Sequence, residues 1–199
     1  GHEQVVRCLI EARADVQQAK NNGASPVFTA AQKGHEQVVR CLVEARADVQ
    51  KAYNNGATPV FIGAQNGHEQ VVRCLIDAMA DVQQAHNDGV SPVYIAGQKG
   101  HEQVVRCLIE ARADVHQGNN NGASPVYIAA QEGHEQVVQC LIEAQANVQK
   151  AYNDGASPVL MAAENVHEQV VRCLIEARAD LQKADNDGVS PVCMAAQGG

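Results

Sequence analysis

Apolar side chains recur at helical spacing in the segment from Gly34 to Gln50. Val38, Cys41, Leu42 and Ala45 fall on one face of a helix, at i, i+3, i+4 and i+7. Val39 and Val43 widen this apolar face. Glu36, Arg40 and Glu44 follow each other at i, i+4 spacing on the remaining face. The pattern predicts an amphipathic helix over about residues 35–45 with one solvated face.

The same segment returns nearly letter for letter along the chain at a spacing of 33 residues. Its copies begin at Gly1, Gly34, Gly67, Gly100, Gly133 and Val166. Self-similarity at such a period is typical of solenoids, in which each repeat packs only on its neighbours. Features shared by all copies are therefore assigned to holding the array together, and features that differ between copies are the candidates for recognition.

A shorter helix is predicted before each copy of this segment. Ser25 can cap free N–H groups, and Pro26 loses no hydrogen bond at the first helical position, so the helix runs from Val27 to Lys33. The small Ala30-Ala31 pair lets a neighbouring helix approach closely. The same Ser/Thr-Pro-Val signal recurs at Thr58, Ser91, Ser124, Ser157 and Ser190.

A turn is predicted between each second helix and the next first helix. In the segment from Val49 to Gly56, the residues Asn54, Asn55 and Gly56 favour turn conformations and permit positive φ, which predicts a projecting turn or a short β-hairpin. Counterparts are Asn22-Gly23, Asp88-Gly89, Asn121-Gly122, Asp154-Gly155 and Asp187-Gly188.

Together these elements predict an all-α repeat solenoid, a single domain over 1–199 built of stacked helix pairs with projecting turns. Complete repeats cover 20–52, 53–85, 86–118, 119–151 and 152–184, with a second helix alone over 1–19 and a first helix alone over 185–199. Neither end carries a polar capping repeat, which is expected of a segment of a longer array. Because the two partial repeats are complementary, head-to-tail self-association is a hypothesis.

The order of turn, Ser-Pro helix, Gly-His and second helix resembles the ankyrin repeat, whose signature includes T-P-L-H-x-A-A, G-H-x-x-V-V-x-x-L-L and G-A-D-V. Matching residues are Thr58-Pro59, Ala30-Ala31, Gly34-His35, Val38-Val39, Leu42 and Ala47-Asp48-Val49. The resemblance covers the whole chain, because pattern and period agree in every copy. The resemblance implies L-shaped repeats, stacked antiparallel helix pairs with hairpins projecting at right angles, and a concave face of hairpins and first helices that binds proteins.

Three departures from that signature carry expectations. The histidine of T-P-L-H is replaced by Phe28, Phe61, Tyr94, Tyr127, Leu160 and Cys193, so apolar packing is expected in place of its hydrogen bonds. The glycine that ends the second helix is replaced by Arg13, Arg46, Met79, Arg112, Gln145 and Arg178, and we predict a local change in the helix ending there, because a left-handed conformation costs these residues about 1 kcal/mol each. Val166 replaces the glycine between two helices, so the usual turn is not assured there.

Charge and composition limit the classes of binding partner that we expect. The chain carries 15 Lys and Arg against 23 Asp and Glu, a net charge of −8, and no window is basic enough for a run of phosphates. We therefore expect neither nucleic acid nor a membrane surface as partner. The absence of a long apolar run and of a signal pattern predicts a soluble, cytoplasmic protein. Six of the seven cysteines share one repeat position, too far apart to cross-link, which suits free core thiols in a reducing compartment.

No catalytic or cofactor motif is complete. His2, His35, His68, His101, His134 and His167 each precede Glu, but valine stands where the second histidine of a zinc H-E-x-x-H motif would be. These histidines match the structural histidine of the ankyrin repeat, which is expected to bond locally across the turn. His86 and His116 are isolated, and G-x-S-x-G, P-loop and dinucleotide motifs are missing. We predict no metal, no cofactor and no enzymatic activity.

Recognition is sought where the copies differ. The turn-tip position is the most variable in the array, and the columns two residues before it and at the end of the first helix also vary. Tyr53 and Tyr152 are predicted as anchors, since tyrosine is common at binding hot spots, and Lys51 and Lys150 would suit an acidic rim. The full predicted protein-binding set is Lys20, Lys51, Tyr53, His86, Lys99, Asn119, Glu132, Lys150, Tyr152 and Asp185.

These observations favour a non-catalytic protein-binding scaffold that presents its turn tips rigidly. One alternative is a structural or self-assembling segment of a longer array. Another is an artificial consensus array, against which irregular positions such as Met79, Gln145 and Val166 count.

Overall fold

The computed structural model describes residues 2–197. Within that range the regular structure consists of twelve α-helices, with no strand. The helices are α1 (Glu3–Glu11), α2 (Pro26–Gln32), α3 (Glu36–Glu44), α4 (Pro59–Gln65), α5 (Glu69–Asp77), α6 (Pro92–Gln98), α7 (Glu102–Glu110), α8 (Pro125–Gln131), α9 (Glu135–Glu143), α10 (Pro158–Glu164), α11 (Glu168–Glu176) and α12 (Pro191–Gln197). The even-numbered helices are the predicted first helices, and the odd-numbered ones are the second helices.

The helices stack in layers along one continuous core. Each first helix packs on the second helix that follows it and on the first helices of the neighbouring layers, as α4 does on α2, α5 and α6. Each second helix packs on the second helices of adjacent layers. One leucine per layer, such as Leu75, Leu108 or Leu141, is fully buried at equivalent positions. The predicted solenoid of stacked helix pairs is confirmed.

The first helices begin as the sequence predicts. The Ser25 hydroxyl accepts a hydrogen bond from the Phe28 backbone N–H at 3.2 Å, and Thr58 does the same for Phe61. These hydroxyl-bearing residues are buried, and proline follows each of them at the first helical position. A buried hydroxyl with its hydrogen bond made costs little, so the cap and the close packing of the layers are compatible.

The second helices end differently from our prediction. We expected a local change in the ending because glycine is missing, yet all six replacing residues keep positive φ, between 61° and 64°: Arg13, Arg46, Met79, Arg112, Gln145 and Arg178. The expected change was therefore wrong. The ending after α3 shows the usual closure, in which the Arg46 N–H donates to the Val43 carbonyl and the Ala47 N–H to the Leu42 carbonyl, both at 2.9 Å.

At four of the six endings, a glutamine of the preceding layer bonds to the carbonyl of the left-handed residue. Gln17 Nε2 donates to the Arg46 carbonyl at 2.9 Å, and its Oε1 accepts from the Asp48 N–H at 3.0 Å. The two bonds are exposed and contribute about 1 kcal/mol together, which is comparable with the cost of a left-handed residue. We call this arrangement the glutamine clamp, and it recurs at Gln50, Gln83 and Gln149.

Each glycine between the two helices of a layer is needed for space as well as for φ. Gly67 has φ +72°, and a Cβ built on it would lie 2.7 Å from Nδ1 of His101 in the next layer. The His101 ring also lies with Nε2 at 3.1 Å from the Gln65 carbonyl oxygen, an N–H···O distance. The expectation of a local bond for these histidines was therefore wrong, since the bond links two layers and recurs for His68, His134 and His167.

Val166 takes the same turn as the glycines it replaces. Its φ is 59°, and its N–H donates to the Ala163 carbonyl at 3.3 Å, as in the glycine-containing turns. The side chain is 76% exposed, so in the described structure no histidine ring occupies the space beside it.

The turns between layers project as predicted. Within one turn the Tyr53 N–H donates to the Ala57 carbonyl at 2.8 Å and the Gly56 N–H donates to the Tyr53 carbonyl at 2.9 Å. Neighbouring turns are joined in places, as where the Asn120 N–H donates to the Asp88 carbonyl at 3.0 Å. These bonds make turns rather than the alternative β-hairpin over the part of the chain that the structure describes.

The outer face of the second helices is charged and solvated. Arg73 Nε donates to Glu69 Oε1 at 2.9 Å within α5, and its Nη1 reaches Glu110 of the next layer at 3.2 Å. Gln139 interrupts this row of arginines. Exposed pairs of this kind contribute little to stability. No helix among residues 2–197 is long and apolar enough to cross a membrane.

Candidate functional site

A groove runs along the face formed by the turn tips and the first helices, which we call the tip face. The groove spans three layers and has a volume of about 450 Å³. Turn residues Lys20, Tyr53 and His86 line it together with the last residues of the first helices. Its apolar floor includes Phe28, Phe61, Ile62 and Ile95.

Aromatic pairs link the turn tips to the first helices. The Tyr53 ring stacks on Phe28 at a centroid distance of 5.3 Å and an interplanar angle of 13°. His86 stacks on Phe61 and Tyr152 on Tyr127, both at 5.5 Å. These contacts confirm that packing replaces the missing histidine of the ankyrin signature. They also hold one face of each tip ring in place before any partner arrives.

Five of the predicted binding residues make side-chain hydrogen bonds inside the array, and one of them is His86, whose Nδ1 accepts from the Asp88 N–H at 3.3 Å. Lys51 Nζ donates to the Gln17 carbonyl at 2.8 Å, and Lys150 Nζ donates to the His116 carbonyl at 2.6 Å. Asn119 Nδ2 donates to the Tyr94 hydroxyl, and its Oδ1 accepts from two backbone N–H groups of its own turn. Asp185 Oδ1 likewise accepts from two N–H groups of its turn. These side chains fix the turns on the layers.

Buried tyrosines extend the apolar part of the tip face beyond the groove. Tyr94, Tyr127 and Leu160 form a buried cluster, with Tyr152 packed against it. Burial raises the pKa of Tyr94 to about 12, and the nearby Tyr152 and Glu132 add to the shift. Burial also raises the pKa of Tyr127. Both phenols therefore stay neutral at physiological pH.

The charges of the tip face are distributed unevenly. The turns and first-helix ends before residue 100 carry Lys20, Lys33, Asp88 and Lys99. The corresponding positions after residue 100 carry Glu132, Asp154, Glu164, Asp185 and Asp187, and a lysine stands two residues before the tip in three turns, at Lys51, Lys150 and Lys183. Among the predicted residues, Lys20, Lys99 and Glu132 are exposed. One end of the tip face is thus basic and the other acidic.

The structure adds a row of residues that the sequence did not single out. Gln32, Gln65 and Gln98 are the last residues of their first helices, and all three line the groove. They were passed over because they are the same in these copies, whereas recognition was sought in variable positions. A signal was present, since Phe28 and Gln32 stand four residues apart and so lie on one face of α2.

The recurring cysteines and histidines form no reactive centre in the described structure. Cys41, Cys74, Cys107 and Cys140 are buried, and burial raises the pKa of each thiol. Thiols of this kind are inert core residues, because the thiolate is the reactive form. Residues 2–197 contain no group of three or more His, Cys, Asp or Glu side chains that could hold a metal ion.

Comparison with known proteins agrees with the architecture. A family model for ankyrin repeats in three copies matches residues 1–86 and 79–152. The chain belongs to the ankyrin repeat family. The crystal structure of the human ASB11 ankyrin repeat domain is similar, with a TM-score of 0.89 and 24% identity, over 97% of this chain and 86% of that chain. No curated protein sequence matches the chain. Ankyrin repeats generally serve as non-catalytic protein-interaction scaffolds.

Proposed function

We propose that this ankyrin array is a non-catalytic scaffold that binds a protein partner through the tip face, with Tyr53 and Tyr152 as anchors. The observation that carries the proposal is the stacking of both rings on first-helix aromatics, at 5.3 Å and 5.5 Å. Each ring is half-buried and held on one face, so a partner can cover its remaining surface at little further entropic cost. The proposed site also includes Lys20, His86, Lys99 and Glu132.

The uneven charge of the tip face favours a partner with the opposite asymmetry. Its acidic part would lie over Lys20 and Lys33, and its basic part over Asp154 and Asp187. Such complementarity raises the association rate more than the affinity. Association should therefore slow as the salt concentration rises, because exposed charges are screened beyond about 8–10 Å at physiological ionic strength.

The test is binding of a selected protein partner to a Tyr53→Ala/Tyr152→Ala variant. We expect at least about a tenfold weaker Kd, because two anchors lose their contact area. The matched control is Arg40→Ala/Arg106→Ala on the outer face of the second helices, which should bind as the unchanged array does. Thermal unfolding of both variants shows whether the layers remain folded. Undiminished binding by the tyrosine variant would remove both residues from the site.

Self-association is a second candidate, favoured by the apolar residues exposed on the two end faces. Val5 and Leu9 are more than half exposed on α1, and Val192 is 70% exposed on α12. In a longer chain, further repeats would cover the same faces. A second copy stacking as the internal layers do would bring its His2 ring against Val166, where the internal layers have glycine.

Sedimentation at increasing concentration tests this second candidate. End-to-end association should grow with concentration and should be stronger for Val166→Gly, which restores the space that the histidine ring needs. Monomers at every concentration for both proteins would rule it out.

A further inference from the structure

The glutamine row in the groove has free side chains on a fixed backbone. The carbonyls of Gln32, Gln65 and Gln98 are each approached by a histidine Nε2 of the next layer, at 3.3, 3.1 and 3.0 Å. Their carboxamides make no hydrogen bond within the described chain, although they line the groove. Each therefore presents one acceptor and one two-proton donor at a well-defined position.

The clamp glutamines of the array show which groups a glutamine carboxamide can bind. In the glutamine clamp, Gln50 Nε2 donates to the Met79 carbonyl and its Oε1 accepts from the Asp81 N–H, at 3.0 and 3.1 Å. One carboxamide thus satisfies a carbonyl and an N–H group of a neighbouring backbone outside regular structure. Groups of this kind are free in an extended segment but are already paired within a helix.

The spacing of the layers matches an extended chain. Neighbouring helices pack about 8–10 Å apart. Three residues of a polyproline II segment cover about 9 Å and return to the same side of the segment, whereas residues three apart in a β-strand point to opposite sides. A segment running along the groove would therefore offer an equivalent backbone group to each successive glutamine at every third residue. Polyproline II, with about three residues per turn, would also point every third side chain at the same wall.

We propose that the groove binds an extended segment of the partner, whose backbone is read by Gln32, Gln65 and Gln98. An apolar side chain at every third position lies on the floor, against the Phe28–Tyr53 pair and then against the Phe61–His86 pair. The proposal rests on the proposed function, because it specifies the conformation of the partner segment on the same face.

Selection of random peptides displayed on phage against the whole array tests this inference. Synthetic copies of the recovered peptides are titrated by fluorescence anisotropy against a Gln32→Ala/Gln65→Ala/Gln98→Ala variant. We expect apolar residues at every third position and a loss of affinity of about tenfold or more, because up to six hydrogen bonds disappear. The matched control is Gln37→Ala/Gln70→Ala/Gln103→Ala, three exposed glutamines on the second helices, which should leave the Kd unchanged.

Results that contradict the expectation distinguish a failure of this inference from a failure of the proposed function. Peptides that carry apolar residues at helical spacing, or an unchanged Kd for the groove variant, overturn the extended-segment proposal. If those peptides still lose affinity with Tyr53→Ala, the tip face remains the binding site. Peptides that are insensitive to both changes overturn the inference and the proposed function together. Recovery of no binding peptide also overturns the inference, and thermal unfolding shows that each variant is folded.

Discussion

At the scale of single residues, left-handed backbone positions decide how the second helices end. Six non-glycine residues adopt φ between 61° and 64° at these endings, although glycine is the usual residue in this conformation. Met79 is 84% exposed, so its side chain supplies little packing to offset the strain. The carbonyl of Met79 is instead held by Gln50 of the preceding layer. The strain is thus offset by a contact from another repeat.

Replacing Met79 with glycine should stabilise the array. Glycine removes the Cβ strain, worth about 1–2 kcal/mol, and adds unfolded-state entropy worth about 0.5–1 kcal/mol, so we expect a net gain of up to about 1 kcal/mol in the free energy of unfolding. Urea unfolding measures it. The matched control is Met79→Ala, which removes the same exposed side chain but keeps Cβ and should show no gain. Equal stability of the two variants would show that φ strain is not significant there.

The starts of the first helices could be predicted from sequence because the interactions that determine them are local. Ser25 and Pro26 act within one turn of the helix they begin, and the structure confirms the cap. The endings could not be predicted in this way. The clamp on Arg46 comes from Gln17, 29 residues earlier, and rules for a single helix do not include such a contact.

At the scale of elements, adjacent layers are joined by three kinds of contact that repeat along the stack. They are the glutamine clamp, the histidine over the glycine turn, and the contact between turn tip and first helix. The clamp is missing at one junction, where His116 stands in place of glutamine and the Gln145 ending makes no clamp in the described structure. That junction keeps a contact from Lys150 Nζ to the His116 carbonyl, which Lys51 and Lys183 also make at clamped junctions.

Restoring the clamp with His116→Gln should stabilise the array. The new side chain would reach the Gln145 carbonyl and the Asn147 N–H, as Gln83 reaches Arg112 and Asp114 in the layer before. Two largely exposed hydrogen bonds are worth about 1 kcal/mol together. Chemical denaturation of the variant measures the gain, and the reciprocal change Gln83→His should lower stability by a similar amount. A neutral result for both would mean that the clamp has no energetic role.

The elements themselves were largely predictable. The period of 33 residues and the apolar spacing fixed every helix pair, and α3 covers Glu36–Glu44 where the pattern predicts about 35–45. The histidine contacts were not predictable from one repeat, because the Nε2 of His68 reaches Gln32 of the layer before. A repeat considered alone does not distinguish a local bond from one between layers.

At the scale of the whole molecule, a continuous core carries a surface on which the copies differ. The structure brings Lys20, Tyr53 and His86 together in one groove, while Lys51 and Lys150 bond to the array. The same groove is lined by Gln32, Gln65 and Gln98, whose carboxamides make no hydrogen bond within the described chain. The sequence did not single them out because they do not vary between these copies. Variation between copies indicates where partners could be distinguished, but constant residues can bind the backbone that all partners share.

Hydrogen–deuterium exchange of the array, with and without a bound partner obtained by selection, tests the central claim most directly. If partners bind the tip face, amides in the turns 53–57 and 86–90 and in helices α4 and α6 should exchange more slowly in the complex, while amides on the outer second helices should not change. Slower exchange confined to the second helices or to the two end faces would contradict the account.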